Sequence, residues 1–206
     1  MPDRSPDRDE PAPTDAVVPL PYPDPPLRGA SFVLRRFRED DFGAALELTR
    51  ESGTALWVPP LPADDPGTVV DMYESYRVAG DLLHLVIADT DDDRYLGELM
   101  VVMCDHRLGE FGCGLTPLAR QRGVATEALS SFARWSVGAL DLRRLQVLVA
   151  MDNVAALRLA ERVGFRQEGV LRSYWDHGGE PIDAVMLSML PGEVARPAGD
   201  PGADGP

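Results

Sequence analysis

The sequence predicts a mixed α/β domain in which helices cover the faces of a mostly antiparallel central sheet. Two observations indicate this fold class. Segments that read as strands alternate along the chain with segments whose apolar residues recur at helical spacing. In addition, a loop that contains two arginines and ends in a glycine leads from one predicted strand directly into a helix, which is a common setting for phosphate binding.

The N-terminal half of the predicted domain contains two helices and four strands. Glu39–Asp41 place acidic residues at the start of the first helix, which runs to about Glu51. Asp65 and Pro66 supply a cap and a first-turn proline for the second helix, which ends near Ala79. The predicted strands are Ser31–Phe37, Leu82–Ala88, Tyr95–Met103 and Glu110–Leu115, with a short turn near His106–Gly109 joining the last two.

The C-terminal half predicts two further helices and three strands. One helix runs from Val124 to about Gly138, and the other runs from Asn153 to Val163 and stops at Gly164. The stripe expected to be buried on the first of these helices consists of Ala128, Phe132, Trp135 and Ala139. The predicted strands are Leu145–Ala150, whose continuous apolar run indicates a central position, Phe165–Arg172 and Ile182–Leu190.

Proline and acidic residues mark the ends of the chain. Residues 1–28 predict a disordered leader whose last part lies along the domain, because prolines cannot pair in a sheet and the segment has little apolar surface to bury. Residues 29–191 then form one domain, and residues 192–206 form a flexible tail. The chain lacks both the apolar core of a signal peptide and an apolar run of membrane-spanning length, which predicts a cytoplasmic protein without membrane contact.

Composition excludes several kinds of function. The net charge of −14 disfavours nucleic-acid binding, which needs basic density, and is compatible with a cationic partner. The chain contains no lysine, which excludes Schiff-base catalysis and a phosphate loop that depends on a lysine amine. Cys104 and Cys113 are expected to be reduced and buried, and we expect no metal site.

The stretch Leu118–Ala128 carries the strongest indication of ligand binding. The first N–H groups of the helix that begins at Val124 have no partner within the helix, and the helix dipole adds partial positive charge there. Gly123 allows a ligand to approach the backbone closely, while Arg120 and Arg122 can donate charge-assisted hydrogen bonds. The alternative is that Gly123 is only a turn between a strand and a helix.

A second stretch, from Asn153 to Phe165, makes the indication of ligand binding at Leu118–Ala128 more specific. Arg-x-x-Gly-x-Ala opens one helix, and Asn153 begins the next, which closes at Gly164–Phe165. This combination resembles the acetyl-CoA-binding core of the GCN5-related N-acetyltransferase (GNAT) superfamily. The segment RGVATEAL followed by LAERVGFRQEGVLR resembles the sequences of the ribosomal-protein (RimJ/RimL-type) N-acetyltransferase branch of this superfamily, in which homodimers are common.

The resemblance implies how acetyl-CoA is held. The backbone of the loop and helix start would bind the pyrophosphate, and the strand before the loop would splay away from Leu145–Ala150 to admit the pantetheine arm. A backbone N–H near Cys113–Leu115 would stabilise the oxyanion while the amine attacks directly. The implied cofactor-binding residues are Cys113, Leu115, Arg120, Gln121, Arg122, Gly123, Val124, Ala125, Thr126 and Asn153.

The proton-transfer groups depart from the family pattern. Alanines, Ala156 and Ala160, stand where members of the family carry a serine or a tyrosine, and Trp175 stands where the Rim-type glutamate is expected. The remaining candidates are Glu110 as base and Tyr174 as acid, with Glu98 on the neighbouring strand as a further carboxylate. The ordinary alternatives for these residues are a solvated strand-end acid and an aromatic packed at a rim.

Two functions from different classes remain open. The first is an N-acetyltransferase acting on a protein N-terminus or on the amine of a small molecule. The second is a CoA-binding module without catalysis, which the missing side chains at the three positions above would favour. A dinucleotide oxidoreductase is disfavoured because no Gly-x-Gly-x-x-Gly follows the first strand. The residues expected to line the acceptor cleft are Trp57, Tyr73, Tyr76, Tyr174, Trp175 and Asp183.

Overall fold

The computed structural model describes residues 17–50, 61, 65–105, 107–177 and 179–194. The strands are β1 (Phe32–Arg35), β2 (Leu82–Asp89), β3 (Tyr95–Asp105), β4 (Leu108–Leu115), β5 (Arg144–Ala150), β6 (Arg166–His177) and β7 (Glu180–Met189). The α-helices are α1 (Phe42–Arg50), α2 (Pro66–Val78), α3 (Val124–Ala139) and α4 (Val154–Val163). None of the helices in these ranges has the length and apolar character that a membrane span requires.

All seven strands belong to one sheet with the order β1-β2-β3-β4-β5-β7-β6. β4 and β5 are parallel, because α3 carries the chain back across the sheet between them. The other neighbouring strands are antiparallel. The predicted fold class, a mixed and mostly antiparallel sheet flanked by helices, is therefore confirmed.

An apolar cluster lies on each face of the sheet. On one face, α3 and α4 pack against the strands, and the ring of Phe132 meets the edge of Phe111 with centroids 5.5 Å apart. On the other face, α1 and α2 cover the β1–β3 region with Leu48 and Val69. Every residue of β2 is buried, because this strand lies between both layers of helix.

The buried face of α3 differs from the predicted stripe at its C-terminal end. Ala128 and Phe132 are fully buried as predicted, and Trp135 is partly buried, but Ala139 is exposed. The buried residue in the last full turn is Ser136 instead. The stripe follows steps of four residues from Val124, so that position 139 has rotated toward solvent where the helix ends.

The predicted first helix begins with a tighter turn. Glu39–Asp41 form a 3-10 turn, and α1 starts only at Phe42. Asp41 is buried because both of its carboxylate oxygens accept hydrogen bonds from Arg35, at 2.7 and 2.9 Å. An ion pair with Arg35, in addition to favourable charge near a helix start, therefore accounts for this acidic residue.

The last hairpin is longer than predicted. β6 extends to His177 and β7 begins at Glu180, with Gly179 in a left-handed conformation at the turn. The register shifts between Leu171 and Trp175, where Ser173 has a φ of 51°. This irregularity explains why the alternating pattern is lost there although the strand continues.

Residues 17–28 lie against α2 and β1. Leu20 is buried, and its N–H donates to the carbonyl of Arg77 at 2.9 Å. The guanidinium groups of Arg36 and Arg77 lie over the Tyr22 ring, at 4.0 and 5.0 Å from its centroid. The Tyr22 hydroxyl donates to Glu74 at 3.2 Å, so that this part of the predicted leader is tied to the domain.

Candidate active site

The central opening in the sheet lies between β4 and β5. The two strands pair only from Leu108 to Glu110 on β4 and from Arg144 to Gln146 on β5. Each strand then continues without pairing to the other, β4 to Leu115 and β5 to Ala150. The strands therefore form a V whose vertex is at the Glu110–Gln146 pair, and the predicted splay is present.

At the open end of the V, β4 leads into the loop that begins α3. Gly123 is the N-terminal cap residue of the helix with a φ of 81°, a left-handed conformation that favours glycine. The first helical hydrogen bond runs from the Glu127 N–H to the Gly123 carbonyl at 3.1 Å. The N–H groups of Val124, Ala125 and Thr126 therefore precede the helical ladder and are available to an anion.

The surroundings of Gly123 leave room for a ligand. A Cβ placed on Gly123 would meet no atom within 4 Å, and residues 120–123 are exposed. The loop is also tied to the end of β4, because the Arg120 Nε donates to the Leu115 carbonyl at 3.0 Å. The loop thus combines access for a ligand with a fixed position relative to the V.

Cys113 and Leu115 lie on β4 along the open part of the V. Both side chains pack partly against the apolar cluster beneath α3. Burial, with the charge of Glu98 as a smaller contribution, raises the pKa of the Cys113 thiol to about 12. The thiol therefore stays protonated at neutral pH, and these two residues are suited to offer backbone groups rather than reactive side chains.

Asn153 has a structural role in addition to the one predicted. Its Oδ1 accepts a hydrogen bond from the Ala156 N–H at 3.1 Å and so caps α4. Its own N–H donates to the Ala150 carbonyl at 2.9 Å, which places the cap directly at the end of β5. Because the Oδ1 of Asn153 already accepts a hydrogen bond from the first turn of α4, its Nδ2 group is the part of the side chain suited to contact a ligand.

The two predicted proton-transfer groups lie on different strands. Glu110 is half-buried at the vertex of the V, and its Oε2 accepts from Gln146 Nε2 at 2.9 Å. Tyr174 is 49% exposed on β6, with its ring edge-on to Trp175 at 5.1 Å between centroids. β5 and β7 lie between these strands.

A buried polar cluster lies on the face of the sheet that α1 and α2 cover. The His84 Nε2 and the Glu98 Oε2 are 3.0 Å apart, and the Tyr95 hydroxyl donates to the same oxygen at 2.9 Å. The Tyr73 ring stacks on His84 at 3.8 Å between centroids. Burial, helped by the nearby Glu98 charge, raises the pKa of both tyrosines.

The sequence pattern did not predict that these residues form one cluster. His84 and Glu98 are polar residues inside otherwise apolar strands, and this feature of the sequence could have indicated a buried polar contact. Tyr73, predicted to line the acceptor cleft, is instead on the buried face of α2 beside a cavity of about 190 Å³. Trp57 and His106 lie outside the described residues.

A larger cavity of about 780 Å³ borders the loop that follows β4. Thr116–Leu118 form one wall, and α1 and the β2–β3 turn form the others. The acidic residues that line the cavity outnumber the basic ones. The basic residues are Arg35, Arg38 and Arg94, and the acidic residues are Asp40, Asp41, Glu47, Asp92 and Asp93. The ranges that the structure describes contain no cluster of three or more His, Cys, Asp or Glu side chains arranged to hold a metal ion.

Comparison with known proteins relates this geometry to one family. A family model described as the acetyltransferase (GNAT) domain matches residues 31–166. An uncharacterized N-acetyltransferase, YoaA of Bacillus subtilis strain 168, is 36% identical over 85 residues, which are 41% of this chain and 48% of that protein. The matched part is thus about half the length of that relative.

Two further similarities are informative. Spermidine N(1)-acetyltransferase of Escherichia coli K12 is 25% identical over 128 residues, which cover 57% of this chain and 69% of that protein. The structure of Mycobacterium smegmatis RimJ in complex with CoA-disulfide has a TM-score of 0.69 at 22% identity, and the match covers 80% of this chain and 84% of that one. The structural likeness shows that the fold is shared.

Proposed function

The chain belongs to the acetyltransferase (GNAT) family of acetyl-CoA-dependent enzymes, and we propose that it transfers the acetyl group to a primary amine on a small cationic molecule. The observation that carries the proposal is the open, left-handed Gly123 turn that starts α3 at the mouth of the β4–β5 opening. It places unpaired backbone donors beside a gap that is bounded by two strands.

The loop and the opening divide the binding of acetyl-CoA between them. The N–H groups of Val124, Ala125 and Thr126 would hold the pyrophosphate, helped by Arg120, Gln121 and Arg122. The unpaired edge of β4 at Cys113–Leu115 would pair with the pantetheine arm, and the Nδ2 of Asn153 would contact it from the end of β5. These assignments extend the sequence prediction and rest on the positions described above.

Acetyl transfer would proceed by direct attack in this site. The amine nitrogen forms a bond to the thioester carbon, a backbone N–H of β4 stabilises the oxyanion, and the carbon–sulfur bond breaks. An ammonium loses one proton before attack and one after it. We assign Glu110 to accept the first proton and Tyr174 to supply one to the leaving thiolate, and the second amine proton passes through solvent to restore Tyr174.

Charge favours a small cation as the acceptor. The chain has a net charge of −14, and acids predominate in the cavity beside Thr116–Leu118. The relative from Escherichia coli is a spermidine acetyltransferase, which is consistent with a polyamine-like acceptor. A second candidate acceptor, a protein N-terminus, is favoured by the Rim-type sequence pattern around Gly123 and by the likeness to RimJ.

A binding module without catalysis is the alternative from another class. Ala160 is buried in the core and Ala156 packs against it, so that the positions where the family carries a hydroxyl are apolar here. This observation favours a protein that binds acetyl-CoA without turning it over. The sequence and contacts of the CoA loop would be the same in both cases.

Release of the CoA thiol separates these functions. The full chain is incubated with acetyl-CoA and, in turn, spermidine, a simple diamine, or peptides with free N-termini, and thiol release is followed by its reaction with a chromogenic disulfide. We expect release with the polyamine. Release with the peptides alone would favour the Rim-type acceptor, and CoA binding without release on any amine would favour the module.

A further inference from the structure

A line of hydrogen-bonded side chains crosses four strands of the sheet at the vertex of the V. Glu110 on β4 is joined to Gln146 on β5, Gln146 to Arg144, Arg144 to Glu168 on β6, and Glu168 to Ser188 on β7. We infer that Gln146 is a positioning residue that holds the Glu110 carboxylate ready to accept the proton of the acceptor amine. This inference rests on the function proposed above.

The contacts of Gln146 determine which way its amide points. The amide oxygen and nitrogen have nearly the same shape, so that orientation follows from the hydrogen-bond partners. The Arg144 guanidinium can only donate, and its Nε lies 3.3 Å from the Gln146 Oε1. The Nε2 is thereby directed at Glu110, 2.9 Å from its Oε2.

This orientation fixes the position of the Glu110 carboxylate. An amide NH₂ group only donates hydrogen bonds, and its partner oxygen must accept. The Glu110 Oε2 is therefore held by Gln146. One carboxylate oxygen is held while the other is left to reach the substrate.

Arg144 is itself immobilised from the far side. Its two terminal nitrogens donate to the two oxygens of Glu168 at 2.8 and 2.6 Å, and the Ser188 hydroxyl donates to Glu168 at 2.6 Å. The hydrogen bonds to Glu168 raise the pKa of Arg144, and those from Arg144 and then Ser188 lower the pKa of Glu168 to about 2. The pair is therefore charged throughout the neutral range and holds the Gln146 amide in one orientation.

Few other titratable groups face Glu110 in the described structure. Cys104 on β3 is exposed and not buried as predicted, and the Glu110 charge, after the larger effect of partial burial, raises the pKa of its thiol. From β5, the neutral Gln146 faces Glu110 directly and Arg144 lies one contact further away. The direct partner that a substitution can remove without altering charge is therefore Gln146.

Gln146→Met removes the donor while keeping the length of the side chain. We expect kcat/KM to fall about 10- to 100-fold, because a reacting group displaced by ~1 Å loses a rate factor of this order. We also expect the loss to fall on kcat with KM near the wild-type value, because the acceptor still binds while the base is out of position. Gln167→Met, at an exposed glutamine of β6, is the matched control and should retain the wild-type kcat.

A double variant tests whether Gln146 acts through Glu110. In the Glu110→Gln background, Gln146→Met should cause no further loss, whereas multiplied losses would overturn the inference. A wild-type kcat for Gln146→Met would also overturn it. A change in stability without a change in kcat would count against a positioning role.

A readout without turnover keeps this inference separate from the proposed function. The carboxyl carbon resonance of Glu110 is compared by NMR at one neutral pH in the wild type and in Gln146→Met. We expect the resonance to move in the variant, because the carboxylate has lost the donor at its Oε2. An unchanged resonance would overturn the positioning role even if the protein transfers acetyl groups, and a shifted resonance would support it even if no acceptor is found.

Discussion

His84 Nε2 and Glu98 Oε2 lie 3.0 Å apart in the core, and both side chains are almost completely buried. Tyr95 donates to the same carboxylate oxygen. This contact joins two adjacent strands, β2 and β3, beneath α2. The cluster is a polar network whose loss would leave buried donors without partners, and its contribution to stability can be measured.

Glu98→Ala should lower the free energy of unfolding by about 3 kcal/mol or more, because the substitution leaves the His84 and Tyr95 donors unpaired and opens a cavity. Urea denaturation measures this loss. Glu98→Gln, which keeps an acceptor oxygen, should be less destabilising. A loss below ~1 kcal/mol for Glu98→Ala would contradict a structural role of the network.

Gly123→Trp should weaken the binding of CoA at least ~100-fold, because the indole would occupy the space above the helix N-terminus and the left-handed backbone would be strained. Isothermal titration with CoA measures the affinity. Gly138→Trp, at an exposed glycine near the other end of α3, is the matched control and should bind normally. Wild-type affinity for Gly123→Trp would show that the loop does not bind the diphosphate.

Asn153 offers a way to separate its two roles. Asn153→Asp keeps the Oδ1 that caps α4 but loses the Nδ2 donor, and it should weaken CoA binding while stability is retained. Asn153→Ala should in addition lose about 1 kcal/mol of stability through the missing cap. Denaturation and CoA titration are measured on both variants. Equal CoA affinity for Asn153→Asp and wild type would leave Asn153 with the capping role alone.

Glu110→Gln should lower kcat/KM by about 100-fold or more at a pH below the pKa of the acceptor amine, where a base is needed to remove its proton. The difference from wild type should shrink at high pH, because the free amine then predominates. The measurement is a pH–rate profile with the best acceptor of the panel. Parallel profiles for the two proteins would remove Glu110 as the proton acceptor.

The Arg144–Glu168 pair predicts a pH dependence of stability. The folded pKa of Glu168 is lowered to about 2, chiefly by Arg144, so that the contribution of this group is present above its ordinary pKa of 4.5 and is lost as pH falls toward 2. Glu168→Gln should therefore flatten the fall in unfolding free energy between about pH 5 and 2. The side chain is 45% exposed, and solvent screening should keep the effect modest.

The Arg144–Glu168 prediction is checked by chemical denaturation at a series of acidic pH values. Glu161→Gln, at an exposed glutamate of α4, serves as the surface control. If Glu168→Gln and wild type lose stability in parallel as the pH falls, the ion pair is not formed in solution.

Local sequence patterns predicted the elements that surround the site. The Gly123 turn, the start of a helix at Asn153 and the Gly164 stop are present as predicted, because caps and turns depend on the conformations and hydrogen bonds of a few consecutive residues. The alternation of strands and helices likewise predicted the sheet with helices on its faces. The sequence alone also showed that alanines occupy positions 156 and 160, where members of the family carry a serine or a tyrosine.

The pairing of polar side chains was decided only in three dimensions. Arg35 pairs with Asp41 and Asp93, His84 with Glu98, and Gln146 with Glu110 across 36 positions. Each contact depends on strand register and on which strands are neighbours, and a shift by one residue would turn the side chain to the other face of the sheet. The sequence by itself therefore determined the family, the fold class and the left-handed turn that starts α3. The tertiary structure decided which carboxylates accept hydrogen bonds and from which partners, because these side chains come within hydrogen-bond distance only after distant strands have paired.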